Sequence, residues 1–479
     1  MFHKIKHSNL QNKLKQEKTK QNKAKTKTKN KTTMTNTTPE SMFVPNDVLN
    51  AYLYGDLYDD DAIFDSYQAM ENIFDFNKSL RSIKYKYTRT NWQEHRDELI
   101  LTNTFYSKMH MGVSAFENLV TLLRSDITVN ELQSRRSTGG VDPIYPEMIV
   151  ATGLRFFGGE KLKSLSDIYH YSLDSGRRVV RKFVDAVLNC EKLAINLPTT
   201  EVQLLGLAQG FSNVSGARGI FYGVIAAIDG WLCTIEKPRI VPNPGDFYSG
   251  LYKRYGLNVQ AMCDANLRFI YVCVAGPGKT NDNRAFKRLD GLHEWLQQLP
   301  DSYFLIGDNA YTLQRNLLIP FDGKQREQPN NRTYNFYLSQ QRIRIEMAFG
   351  LLCTKWRIFH SNLDSKFGLE FQCKIIETAS RLHNYVLDEE QACFNTQNKD
   401  SDRVNLQEWG VEAMSSGPAG NKGYLRAPNE EEDIVDDVPT ESSASRREAF
   451  VNHIIQADVT RPQYNCERNI EYDNNIEIV

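Results

Sequence analysis

Two short apolar runs in this chain each close on a carboxylate, and they constrain the fold more than anything else in it. The first is Val224-Ile225-Ala226-Ala227-Ile228, ending at Asp229-Gly230. The second is Tyr303-Phe304-Leu305-Ile306-Gly307, ending at Asp308-Asn309. A run of this kind, stopped by Asp-Gly or Asp-Asn, reads as a buried strand with an acid at its mouth. Downstream, residues 334–359 carry a long helical pattern with Glu346 inside it. Between the two runs, 256–264 and 268–274 read as a hairpin turning at Asp264-Ala265-Asn266-Leu267, and 283–298 reads as an amphipathic helix. A further helix is expected over 369–387. Strand, hairpin, strand and helices together predict an α/β layer domain.

Three acids in these settings can form an oxygen-rich cage. Two carboxylates about 4 Å apart repel by roughly 4 kcal/mol at an effective dielectric of 20, so such a site protonates one acid or holds a cation. Oxygen donors favour Mg²⁺ or Mn²⁺ over zinc. Two such ions are common equipment for cutting phosphodiester bonds without a covalent nucleophile. No G-x-S-x-G, Walker A or H-E-x-x-H pattern offers another chemistry. Each acid also has a plainer reading: a strand-end Asp caps a turn, and a helical Glu among Arg342, Arg344 and Lys355 makes an ordinary ion pair.

The remainder of the chain fits work on nucleic acid. The net charge of −1 over 479 residues conceals opposed ends. The first thirty or so residues carry about eleven lysines and a single Glu17, whereas 430–437 is an acidic block. Residues 1–45 are expected to be a disordered basic arm: a solvated tail, a nuclear-import signal or a DNA tether. Residues 101–198 are expected to be helical. Segments 145–157, 164–171 and 173–188, broken at Gly158-Gly159 and Ser172, have the form of a helix-turn-helix. Its third segment offers Arg177, Arg178, Arg181 and Lys182 to DNA, or else forms the solvated face of a helical bundle. Residues 390–479 read as an acidic, mostly disordered tail, with a short amphipathic helix conceivable over 450–455. Eight scattered cysteines without a C-x-x-C pair argue against a zinc ribbon and fit a reducing compartment. No apolar stretch is long enough to span a bilayer, so no membrane role is expected.

The flanks of the three acids can also be read as text. Ala227-Ile228-Asp229-Gly230, the block from Tyr255 through Gly256-Leu257-Asn258-Val259-Gln260 to Asp264, Gly276-Pro277-Gly278, Gly307-Asp308-Asn309-Ala310-Tyr311, and Arg342 through Glu346 to Phe349-Gly350 recur here in order. They resemble the PIF/Harbinger transposases, members of the DDE endonuclease superfamily. Leu382-His383-Asn384 is similar to that family's closing helix. The resemblance covers about 227–387, within a domain expected over 220–389. It implies an RNase H-like mixed sheet flanked by helices, preceded here by the helix-turn-helix-like region. It implies Asp229, Asp308 and Glu346 as catalytic acids that jointly hold two Mg²⁺ or Mn²⁺ ions. The implied reaction is cutting at transposon ends followed by attack of a 3′-hydroxyl on target DNA. A separate Myb-like DNA-binding partner, a homo-oligomer on DNA and a nuclear location go with it. A domesticated DNA-binding protein without nuclease activity is the alternative.

Two blocks depart from the family's usual text. Trp231 and Leu232 stand where Thr-His is common, and Lys279-Thr280-Asn281-Asp282-Asn283 replaces Ser-Thr-His-Asp-Ser. Asp282 is kept and is expected to support the three acids from behind. Arg342 and Arg344, with Lys355 and Arg357, are expected either to hold phosphates or to make salt bridges.

Overall fold

The computed structural model describes residues 88–138, 141–214, 220–395 and 441–461. The basic arm and the acidic block at 430–437 lie outside the described residues.

The chain first builds a layer of helices: α1 (Trp92–Leu101), α2 (Phe105–Met109), α3 (Val113–Ile127), α4 (Glu131–Thr138), α5 (Pro146–Phe157), α6 (Leu162–Tyr169), α7 (Leu173–Asn189) and α8 (Glu201–Val214). The predicted trio is present as α5, α6 and α7. Pro146 opens α5, where its missing N–H costs nothing. Ser172 caps α7 by accepting from the Ser175 amide at 3.2 Å. Val179, Val180, Phe183, Val184 and Val187 recur at helical spacing and are buried. A Cβ at Gly153 would stand 2.2 Å from the Phe183 ring, so glycine there lets α5 and α7 close on each other. α7 also packs on a helix from the far end of the chain, α12 (Leu369–Asn395). Buried side chains of this layer and of the sheet form one continuous core.

The sheet contains β1 (Val224–Thr234), β2 (Tyr248–Ser249), β3 (Arg254–Cys263), β4 (Phe269–Pro277), β5 (Phe304–Ile306) and β6 (Leu317–Leu318). β1 runs antiparallel to β3, from Ala227 opposite Cys263 to Thr234 opposite Gly256. It runs parallel to β5, which is parallel to β6, and β4 pairs with β3 on the other side. The order β4-β3-β1-β5-β6 is the mixed, RNase H-like sheet that the resemblance implied. The short β2 pairs only with the first residues of β3. The helix expected over 283–298 is two pieces, α9 (Asp282–Phe286) and α10 (Asp290–Gln298), because Leu289 leaves helical geometry at φ −94°, ψ 65°. The long helix α11 starts earlier than expected, at Pro329, and ends at Lys355 where Trp356 turns away.

Strand alternation assigns the two faces of the sheet. Ile228, Met262 and Ile270 pack with Leu292 and Leu296 of α10. Ala227, Ala261 and Phe269 pack with Ile345, Ala348 and Leu352 of α11. α12 clamps the β3–β4 turn. Its Asn384 accepts from the Phe269 amide at 2.9 Å and donates to the Phe269 carbonyl at 2.8 Å, and His383 Nε2 donates to the Leu267 carbonyl at 2.9 Å. The last described element, α13 (Glu441–Gln456), is longer than the short helix conceivable from the sequence and rests against this domain. Phe450 stacks among Phe221, Tyr222 and Phe304 at ring separations of 5.1–5.8 Å. Among the described residues no helix is long and apolar enough to cross a membrane, and six cysteines are free.

Candidate active site

Asp229 shares the parity of Ala227 along β1, so alternation turns it towards the α11 face, where Arg342 and Glu346 lie one turn apart. Asp308 follows the end of β5, the parallel neighbour of β1. It closes its own turn: its Oδ1 accepts from the Ala310 amide at 2.8 Å and its carbonyl accepts from Tyr311. The plainer reading of Asp308, as a turn cap, therefore holds.

Asp229 is largely buried, with 18% of its side chain exposed. Burial, followed by the negative charge of Asp308, pushes its carboxyl up to about 8; Arg342 opposes this and Asp282 adds to it. The Gly230 amide donates to its Oδ1 at 2.8 Å. Glu346 is about half exposed and is paired with Arg342, whose Nη1 stands 2.6 Å from its Oε1 and 4.0 Å from Asp229 Oδ2. Burial pulls the Arg342 guanidinium down, but Glu346, Asp229 and Asp308 outweigh it and raise it. The structure thus brings Asp229 and Asp308 within strong mutual influence, and it places a guanidinium between Asp229 and Glu346. Among the described residues no group of three or more His, Cys, Asp or Glu side chains is arranged to hold a metal ion. The donors nevertheless suit a hard divalent cation: all are carboxylate oxygens, and Asp229 carries a charge conflict that a cation would relieve.

Asp282 sits at the start of α9, behind Asp229. Its Oδ1 accepts from Asn258 Nδ2 at 3.0 Å and Gln260 Nε2 at 2.9 Å. Gln260 also donates to Asn258 Oδ1 at 2.9 Å and accepts from the Tyr311 hydroxyl at 2.7 Å. A Cβ at Gly230 would stand 1.9 Å from Asp282 Oδ1, so only glycine admits Asp282 this close to β1. Burial, then the charges of Asp282, Asp229 and Asp308, hold the Tyr311 hydroxyl well above its usual range. Asn258, Gln260 and Tyr311 carry no role in the sequence reading. For Asn258 and Gln260 the signal is two amides at period two in a strand buried from Gly256 onward, a pattern that requires internal partners.

The basic candidates separate. Arg177 is exposed and pairs with Asp174 at 2.6 Å, and Arg178 reaches Ser175 Oγ at 3.3 Å. Arg181 lies over the Phe371 ring at 4.5 Å. Lys182 donates to the carbonyls of Ile127 and Thr128 at 2.9 and 3.3 Å, tying down the end of α3. Arg344 is half-buried. Lys355 is buried and donates to Glu390 at 2.8 Å, so it is a structural cation away from any phosphate. Trp231, where the family's text commonly differs, packs its ring against Phe349 and Phe359.

The comparisons agree with this geometry. Residues 228–384 match the family described as DDE superfamily endonuclease. The protein ALP1-like of Arabidopsis thaliana is 25% identical over 308 residues, 61% of this chain and 73% of that protein. The putative nuclease HARBI1 of Xenopus laevis is 25% identical over 249 residues, 51% of this chain and 68% of that protein. No solved structure matches the chain. Asp229 lies within β1 and Asp308 just beyond its parallel neighbour β5, and the segment that carries both, residues 228–384, is similar to the DDE superfamily of endonucleases.

Proposed function

We propose that the chain is a divalent-metal-dependent DNA endonuclease of the PIF/Harbinger transposase type. The observation that carries this reading is the buried Asp229 beside Asp308, with its carboxyl raised to about 8 by burial and by that neighbour. Such a pair is unstable as two bare carboxylates and is suited to a cation. Asp229, Asp308 and Glu346 would hold two Mg²⁺ or Mn²⁺ ions. Those ions supply Lewis acidity to the attacking and leaving oxygens of a phosphodiester.

The chain's own residues do the remainder. Asp229 and Asp308 are fixed by their turns and by the sheet. Glu346 joins them when it leaves Arg342, and the released guanidinium is then free to meet a phosphate oxygen. Asn258 and Gln260 orient Asp282, which adds negative charge behind Asp229. Exposed Arg177 and Arg178 on α7 are the DNA contacts of the helix-turn-helix-like region. Joining of 3′-hydroxyl ends to target DNA, a Myb-like partner, assembly as a homo-oligomer on DNA and action in the nucleus belong to the same proposal.

The Arg342–Glu346 pair favours a second reading, a domesticated DNA-binding protein that keeps the fold without cutting. Cleavage of supercoiled plasmid and of element-end DNA decides between them. It is run with Mg²⁺, with Mn²⁺ and with EDTA, beside Asp308→Asn. The endonuclease reading expects cutting that EDTA and the substitution both abolish while DNA binding persists. Cutting by Asp308→Asn at the parental rate would remove that residue from the site, and no cutting with either metal would leave the second reading.

A further inference from the structure

Beyond Asp229, β1 continues five residues to Thr234, about 17 Å at the rise of a strand. The chain then makes an excursion over 235–253 before returning as β3. Its base is fixed. The Asp246 carbonyl accepts from the Lys279 amide at 2.9 Å, and the Gly256 carbonyl accepts from Gly278 at 2.9 Å. This anchors the excursion to the segment that leads into Asp282. Asn243 caps the turn Pro244–Phe247. Tyr248 packs edge-on against Tyr255 at 5.2 Å, and the Lys237 ammonium lies 5.9 Å from the same ring. The tip turns through Lys253 at φ +52°.

This ordered lobe offers an unusual surface. Ile240 is 98% exposed, Leu251 62% and Tyr252 41%. Lys237, Arg239, Lys253 and Arg254 are exposed beside them, and among the described residues none of the four is in a salt bridge. The two acids at this lobe each have a hydrogen-bond donor, and Glu236 also feels the charges of Lys366 and Arg239. Glu236 accepts from the amide and hydroxyl of Ser365 at 3.1 and 2.8 Å, and Asp246 accepts from Asn243 at 2.9 Å. Four cations without a salt-bridge partner among the described residues, beside exposed aromatic and aliphatic groups, suit a polyanion.

We infer that the 237–254 lobe is a second contact surface for duplex DNA, holding phosphates to one side of the one at Asp229. Lys253 and Arg254 hold the backbone at the tip, Lys237 and Arg239 hold it at the flank, and Tyr252 and Leu251 pack against sugars. The inference rests on DNA being the substrate, as proposed above.

The test uses the full chain in the Asp308→Asn background, so that the DNA stays whole. Binding of a labelled duplex is followed by anisotropy across a salt series. For Lys253→Gln with Arg254→Gln, the slope of log affinity against log salt should fall by about 1.8, the loss of two phosphate contacts. Affinity at low salt should fall at least about tenfold, with an unchanged melting temperature. Lys237→Gln with Arg239→Gln should act alike and serves if the first pair fails to fold. Steep, salt-dependent binding by the parent with the same slope in both variants would overturn the inference and spare the proposed function. No binding of duplex by the parent at any salt would overturn both. Unchanged DNA binding with lost self-association in sedimentation would make the lobe a protein interface instead.

Discussion

Arg342 decides how the acid cluster behaves before any ion arrives. An exposed i,i+4 pair is worth only about 0.3–0.5 kcal/mol. Here Arg342 is about four-fifths covered and faces three carboxylates, so it matters more than a surface pair does. A divalent ion taken up by Asp229 and Glu346 has to displace it. Arg342→Gln should therefore tighten Mn²⁺ binding by up to about tenfold, roughly 1.4 kcal/mol, as read by the signal of free Mn²⁺ in a titration. Weaker binding would mean that Arg342 organises the acids and does not compete for them. At this scale the sequence was legible in part. Asp229 and Asp308 could be put forward as candidates because each closes an apolar run, whereas Glu346 came forward through the resemblance of its block. The ion pair of Glu346 with Arg342 was legible too, as a four-residue spacing. That these two readings meet in one site was not, since spacing along a helix says nothing about which strand lies beneath it.

Among the elements, α12 shows how a polar block can be structural. His383 and Asn384 lie beneath the β3–β4 turn and supply bonds that a neighbouring strand would otherwise make. Burial, together with the charges of Lys355 and Arg268, pushes the His383 ring down to about 4 despite its bond to Leu267. An unfolded histidine titrates near 6.5. The unfolded chain thus binds the extra proton between those values. The contribution of neutral His383 is whole above about pH 6.5 and is lost as pH falls towards 4, at most about 3 kcal/mol. Melting temperature should fall across that window, and His383→Gln should flatten part of the fall. A parallel curve for the variant would place the pH dependence elsewhere, for instance at His110, also pushed down to about 4. The helices α5, α6 and α7 were legible because Pro146, the Gly158-Gly159 pair and Ser172 punctuate them. The roles of Arg181 and Lys182 were not. Both positions read as solvent-facing by period, yet Arg181, though exposed, lies over the Phe371 ring of α12 and Lys182 is tied to the end of α3.

Among the described residues the helical layer and the sheet share one core, so the helix-turn-helix-like region is built onto the sheet. Periodicity finds each apolar face but not the partner that covers it, which is why the sequence suggested separate regions. α13 is the clearest case. Its apolar residues are few and spaced among charges, and its contacts come from residues more than 100 positions away. Phe450→Ala should cost about 3 kcal/mol of stability, measured as a lower urea midpoint with an unchanged slope. No loss would mean that α13 adds nothing to the fold.

Between Asn395 and Glu441 lie 45 residues of chain. Seen from the sheet, α13 is a ligand supplied by the same chain, and its occupancy depends on its effective concentration as much as on the aromatic rings it meets. Insertions or deletions within 396–440 would thus alter how firmly α13 holds the sheet.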